Sequence, residues 1–180
     1  MHVNILLFGV SCVGKTTIGT LLAERLGYDF FDLDEETKRF YGMTLEEFGH
    51  TGTLRDRDEM RGDLIERILD LDGNKVVAVT PMSFAVFFAP FLEREDVTAI
   101  VLEDTPEHIF GRIVFSDEDD VVYKDDEFKN AHREAYLQDI AEDIAVYNWN
   151  SFGAIENKFN VNGDKPDVAV DRLIKAYHWN

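Results

Sequence analysis

Cysteine, positive charge and long apolar runs are what this 180-residue sequence has least of. Cys12 is its one cysteine, which excludes an internal disulfide framework and fits a reducing cytoplasm as the expected location. Lysine and arginine total 18 against 36 aspartates and glutamates, a formal charge of −18. Such a surface repels nucleic acid and anionic lipid, so neither is an expected partner. A small anion held by local groups is still compatible with it. No apolar stretch is long enough to span a bilayer, and no basic region with a cleavage site precedes the first apolar run. Neither a membrane anchor nor a signal peptide is therefore expected. No Pro/Gly/Ser-rich linker, internal repeat or low-complexity tract divides the chain, so one domain over 1–180 is expected. The five histidines show no metal-ligand spacing and no paired nucleophile, and are read as structural.

What is present is an alternation of strands and helices. "VNILLFG" is an apolar run ended by glycine, as in a strand buried on both faces. In "GKTTIGTLLAERLG", Ile18, Leu21, Leu22 and Leu26 recur at helical spacing and Gly27 stands as the closing cap. "YDFFDLD", "KVVAVT", "VTAIVLED" and "KFNV" read as further strands. Helices are expected at "TLEEF", from about Arg55 to Leu71, in "FAVFFAPFLE" as a buried segment interrupted near Pro90, and in "TPEHIFGRI" behind Thr105 and Pro106. A long helix from about Asp126 to Trp149 and a last one in "DVAVDRLIKAY" follow. Trp149 and Trp179 are expected to pack near helix ends. The result is an α/β fold of three layers with a parallel sheet.

Gly9-Val10-Ser11-Cys12-Val13-Gly14-Lys15-Thr16 fits G-x-x-x-x-G-K-[ST], after an apolar strand and opening a helix. The glycines let successive backbone N–H groups turn inward onto phosphate oxygens, and the helix adds the positive end of its dipole. Gly9, Ser11, Cys12, Val13, Gly14, Lys15, Thr16 and Thr17 are thus the expected nucleotide-phosphate site. Lys15 would reach the β- and γ-phosphates, and the Thr16 hydroxyl would ligate Mg²⁺. Cys12 fills a permissive position in the loop.

Asp32 and Asp34 stand one residue apart at the end of the second strand, where an extended chain would point them to the same side. Beside a phosphate cradle, one would hold Mg²⁺ and the other would accept a proton from an attacking hydroxyl. The plainer alternative is that Asp34 caps the helix begun by "DEET".

With these residues in place the chain resembles the shikimate kinase family, small P-loop kinases of the nucleoside-monophosphate-kinase-like group. The cradle, its spacing to "FFDLD", and "YGMTLEEF" carry the resemblance. It implies a five-stranded parallel sheet in the order 2-3-1-4-5, ATP and Mg²⁺, and a lid over about 113–127. By the same resemblance Asp32 positions Mg²⁺ and Asp34 contacts substrate hydroxyls. Arg57, with Arg55 as competitor, grips a substrate carboxylate, Arg112 stacks on the base, and Lys165 in "GDKP" closes its other side. Three departures stand out. Thr80-Pro81-Met82 replaces the family's triple-glycine turn, Asp119 lies where a lid arginine would fall, and Asp143, four residues before Tyr147, takes the place of a second substrate arginine. The cradle "GVSCVGKTTIG" is also similar to that of gluconate kinases. The expected function is ATP-dependent phosphorylation of a small hydroxylated metabolite, with catalysis by Lys15 and Asp34. Shikimate is one candidate acceptor, and a different hydroxylated or amino-bearing metabolite is favoured by Asp119 and Asp143. The alternative is a nucleotide-binding protein that has lost transfer and serves as sensor or partner subunit.

Overall fold

The run "NILLF" forms strand β1 (Asn4–Phe8), every residue of which is buried, as suits a strand paired on both edges and covered on both faces. The computed structural model describes residues 2–179. After β1 come α1 (Lys15–Leu26), β2 (Asp29–Asp32), α2 (Leu33–Tyr41), α3 (Leu45–Gly49), α4 (Leu54–Leu69) and β3 (Lys75–Ala78). A short helix α5 (Ala89–Leu92) leads to β4 (Val97–Glu103), α6 (Pro106–Arg112) and a small antiparallel hairpin of β5 (Phe115–Ser116) and β6 (Val122–Tyr123). Helices α7 (Asp126–Ala131) and α8 (Arg133–Asn150), strand β7 (Asn157–Asn160) and helix α9 (Pro166–Tyr177) complete the chain.

The main sheet is parallel, in the order β2-β3-β1-β4-β7. This is the expected five-strand order, with the hairpin inserted ahead of the fifth strand. Helix α1 packs on β1, β3 and α9, while α6 packs on α8. The core runs through β1, where the Phe8 ring lies 4.9 Å from Phe88 and 6.3 Å from Phe152. Because all five strands run the same way, their C-terminal ends open along one rim, where ligand sites of parallel sheets form.

Lys75, at the start of β3, is fully buried. Its ammonium donates to the Leu71 and Gly73 backbone carbonyls and to the Asn4 side-chain oxygen, which is how a buried charge avoids going unpaired.

Three expectations of local structure are corrected. The long helix from Asp126 breaks at His132 (φ −110°, ψ 20°). There the imidazole Nδ1 lies 2.8 Å from the Phe128 carbonyl and its ring 4.3 Å from the Phe128 ring, contacts that compete with continuing the helix. "FAVFFAPFLE" forms a 3-10 turn, Ala85–Phe87, before α5. The Ser83 and Phe84 N–H groups that lead into it donate to the Asp58 carboxylate at 2.7 and 3.0 Å, which pins the segment to α4. Trp149 is 88% exposed, whereas Trp179 joins the core margin and stacks on Tyr177.

Candidate active site

The turn after β1 closes on itself because Gly9 (φ 140°) and Gly14 (φ 112°) adopt backbone angles closed to most side chains. A Cβ on Gly9 would stand 2.6 Å from the Leu102 carbonyl oxygen of β4. Val13 is fully buried beneath the loop, and Cys12 takes a left-handed conformation (φ 60°). Ser11, Cys12, Gly14, Lys15, Thr16 and Thr17 line one wall of a cleft of about 350 Å³. The Lys15 ammonium lies across its mouth, donating to the Gly9 and Val10 carbonyls at 2.8 and 2.9 Å. A glycine-shaped concavity with an ammonium at its lip and a helix N-terminus behind it fits a chain of phosphates.

Burial lowers the Lys15 pKa from 10.5 to about 8, against the opposing pull of the Asp34, Cys12 and Asp32 charges. A bound polyphosphate favours the ammonium and raises that value. Below pH 8 the lysine is already charged. Above about pH 8 it must take up a proton when phosphate arrives, so affinity falls as pH rises through that value. Calorimetry of ATP binding at pH 8.5 in buffers of different ionisation enthalpy is expected to register uptake of up to about one proton. Equal heats in all buffers would refute that linkage.

The two aspartates converge, though not along one strand face as the sequence implied. Asp32 ends β2 and caps α2, one oxygen accepting the Asp34 and Glu35 N–H groups at 3.0 and 3.5 Å. Its other oxygen accepts the Thr16 hydroxyl at 2.7 Å. The cap is therefore Asp32, and Asp34 lies in the first helical turn. The Thr16 and Asp32 oxygens side by side suit Mg²⁺, which takes one or two protein oxygens and fills its shell with phosphate and water. No cluster of three or more His, Cys, Asp or Glu that would make an all-protein metal cage occurs among the described residues. Asp34 accepts the Thr80 hydroxyl at 2.6 Å. Burial raises its pKa, and the Thr80 bond and the Arg61 charge pull the other way.

Arg61 is the residue the sequence reading missed. Its guanidinium lies 5.0 Å from the Phe48 ring centre and 3.7 Å from the fully buried Asp58 carboxylate, and its field reaches Asp34. Its one legible signal was the i,i+3 spacing from Asp58. Arg57 instead turns back to donate to the Thr51 and Gly52 carbonyls at 3.2 and 3.3 Å, satisfying the loop that leads into α4. Arg55 lies over the Phe84 and Phe87 rings. In the Thr80-Pro81-Met82 turn, Thr80 and Pro81 line the cleft while Met82 goes fully into the core.

Arg112 lines the cleft and donates to Asp104 at 2.6 Å and to the Val13 carbonyl at 3.4 Å. Lys165 is exposed at the N-cap of α9. Asp143 borders a small cavity against Val10, Ser11 and Cys12. Burial raises its pKa, as do the neighbouring Asp139 and Glu142 charges. Tyr147, one turn along α8, faces Ser83, with Asp143, Asp58 and Arg61 also acting on its hydroxyl.

The segment expected as a lid folds as the β5–β6 hairpin, and its tip is docked. Asp120 (φ 61°) accepts the Leu45 N–H at 3.0 Å and lies 3.9 Å from the Lys38 ammonium. Asp119 borders the same junction. Asp120→Ala is expected to raise KM for both substrates by about threefold to tenfold with little change in melting temperature, since a rim hydrogen bond to a charge contributes about 1–2 kcal/mol. Unchanged KM values would show that this docking is idle.

Residues 11–158 match the family model described as Shikimate kinase. Among curated proteins, the chain is similar to the shikimate kinase of Methylococcus capsulatus, 43% identical over 82 residues that make up 42% of this chain and 46% of that one. The matched stretches span from 24% to 50% of the curated relatives' lengths. Among solved structures, shikimate kinase from Bacteroides thetaiotaomicron superposes with a TM-score of 0.77 at 18% identity, covering 98% of each chain. A gluconokinase from Sinorhizobium meliloti superposes with a TM-score of 0.57 at 15% identity, covering 98% of this chain and 95% of that one. At these identities the structural likeness is one of fold. No helix among the described residues is long and apolar enough to cross a membrane.

Proposed function

We propose that this chain, which belongs to the shikimate kinase family, is an ATP-dependent kinase that phosphorylates a hydroxyl of a small polar metabolite. The observation that carries this reading is the convergence of Lys15, the Thr16–Asp32 pair and Asp34 in one cleft. Backbone N–H groups of the Gly9–Thr16 loop hold the phosphates, and Lys15 swings from the Gly9 and Val10 carbonyls onto the β- and γ-oxygens. Thr16 and Asp32 would hold Mg²⁺, which supplies neutralisation of phosphate charge. Asp34 orients the acceptor hydroxyl, whose oxygen forms the new bond to the γ-phosphorus as the bond to the β-bridging oxygen breaks. The hydroxyl proton passes to Asp34 and ADP leaves.

The acceptor end is short of cations. Arg61 lies 3.7 Å from the Asp58 carboxylate, with its buried Nε unpartnered among the described residues, and Asp34 lines the cleft while Asp143 borders the cavity beside the phosphate loop. A carboxylate acceptor would compete with buried aspartates for one guanidinium, while an amino group would meet them favourably. We therefore favour an amino-bearing hydroxylated acceptor, with shikimate as the comparison compound.

The test is ADP release from MgATP with shikimate and a panel of hydroxy acids, sugars and amino alcohols, run beside Lys15→Ala. Turnover on any member that disappears in the variant supports the kinase reading. Turnover on shikimate alone would overturn the acceptor preference. ATP binding with no turnover anywhere in the panel would favour a sensor or partner subunit that has lost transfer.

A further inference from the structure

Asp104, the residue after β4, has a side chain with no exposed surface, yet four donors from three parts of the chain end on it. The His108 imidazole Nδ1 lies 2.7 Å from one oxygen and the Arg112 Nη2 2.6 Å from the other. The Thr105 N–H donates at 2.9 Å, and the Gly163 N–H, from the turn between β7 and α9, reaches both oxygens at 3.2 and 3.1 Å. Burial alone would push the Asp104 pKa up. The bonds from His108, Arg112, Thr105 and Gly163 outweigh it and hold the carboxyl below its usual value, so the group is an anion.

The contacts reach beyond this one group. His108 and Arg112 lie four and eight residues along, on one face of α6. Arg112 continues from Asp104 to the Val13 carbonyl of the phosphate loop. Opposite, Gly163 (φ 68°) comes so close that a Cβ there would stand 2.6 Å from the His108 ring. The turn carrying Gly163 runs directly into Lys165 and the start of α9. The arginine beside the phosphate loop and the turn facing it therefore share one carboxylate, and the turn is held from its other side by Arg172, which donates to the Asn160 and Val161 carbonyls and pairs with Asp164.

We infer that Asp104 is the positioning residue of the nucleotide's base end: it fixes the separation and orientation of Arg112 and the 161–165 turn, between which the base is held. The inference rests on the nucleotide-kinase reading but concerns a part of the site that the phosphate machinery does not need. A guanidinium fixed through a charge-assisted bond presents its planar face without further loss of rotamer freedom, which favours stacking on a heterocycle. Asp104 touches neither base nor phosphate in this role, so its removal weakens base recognition and leaves the transfer step alone.

The experiment compares ATP with inorganic tripolyphosphate, which has the phosphates but no base, as Mg²⁺ complexes in calorimetry on the wild-type chain and Asp104→Asn. ATP affinity is expected to fall about tenfold in the variant, while tripolyphosphate affinity stays within about twofold. In turnover, KM for ATP rises by the same factor at nearly unchanged kcat. His108→Ala, a half-exposed position, provides a variant that removes one donor without emptying the buried site, with an expected loss of about threefold for ATP alone. Equal weakening of both ligands would show a merely structural role and overturn the inference, as would unchanged ATP affinity in both variants. A wild-type chain that binds tripolyphosphate as tightly as ATP would overturn it and leave the phosphate site standing. Binding of neither ligand would remove the nucleotide reading itself.

Discussion

Lys15→Ala is expected to reduce kcat/KM for ATP by about a thousandfold, the scale on which loss of a pre-positioned charge at a developing anion is felt. The ammonium waits beside the loop on the Gly9 and Val10 carbonyls, from which a side-chain rotation alone brings it onto phosphate. Arg112, the other cation lining the cleft, is committed to Asp104. Stability is expected to move the opposite way. Burial of Lys15 disfavours its charged form strongly enough to lower its pKa to about 8, and alanine removes that unfavourable burial. Steady-state kinetics and a thermal melt on one preparation check both halves. A variant that keeps activity within about tenfold of wild type would mean that phosphate is neutralised by another group.

Asp34→Asn is expected to lower kcat by about a hundredfold to a thousandfold while KM for ATP stays within about twofold. Asparagine preserves the size of the side chain and its bond with Thr80 but cannot accept the proton that the acceptor hydroxyl must lose. In the wild-type protein the carboxyl pKa is raised, first by burial. The carboxylate, the form that accepts a proton, is therefore lost at a higher pH than for an ordinary aspartate. Activity should fall on the acid side along a limb above the usual value of about 3.9, and that limb should vanish in Asp34→Asn. An acid limb that persists unchanged in the variant would assign the titration to another group.

The phosphate loop and sheet were legible because their physics is local. A loop that must point N–H groups inward needs glycine at set places, and buried parallel strands read as nearly unbroken apolar runs. Arg61, whose charge acts on Asp34, was not legible in the same way. Arg57 and Arg61 share a face of α4 one turn apart, so spacing alone could not choose between them. In the structure the Thr51 and Gly52 carbonyls accept from Arg57, which no spacing announces. The break at His132 was hidden because Phe128, His132, Tyr136, Ile140 and Ile144 recur four apart straight through it. Asp104 carried half a signal, its partners at 108 and 112, while Gly163 lies far along the chain.

The docked hairpin also has a consequence for timing. Its tip is held to the body of the protein by the Asp120 contacts with the Leu45 N–H and the Lys38 ammonium. A contact of about 1–2 kcal/mol at a wet rim keeps the hairpin shut only about five to thirty times as often as open. Hairpin-sized motions recur within microseconds to milliseconds. The rim therefore reopens many times within a catalytic cycle of ordinary length, and ADP escapes without waiting on a rare event. Rapid mixing of enzyme with saturating substrates is accordingly expected to give a linear time course from the first turnover, with no initial burst of phosphorylated product.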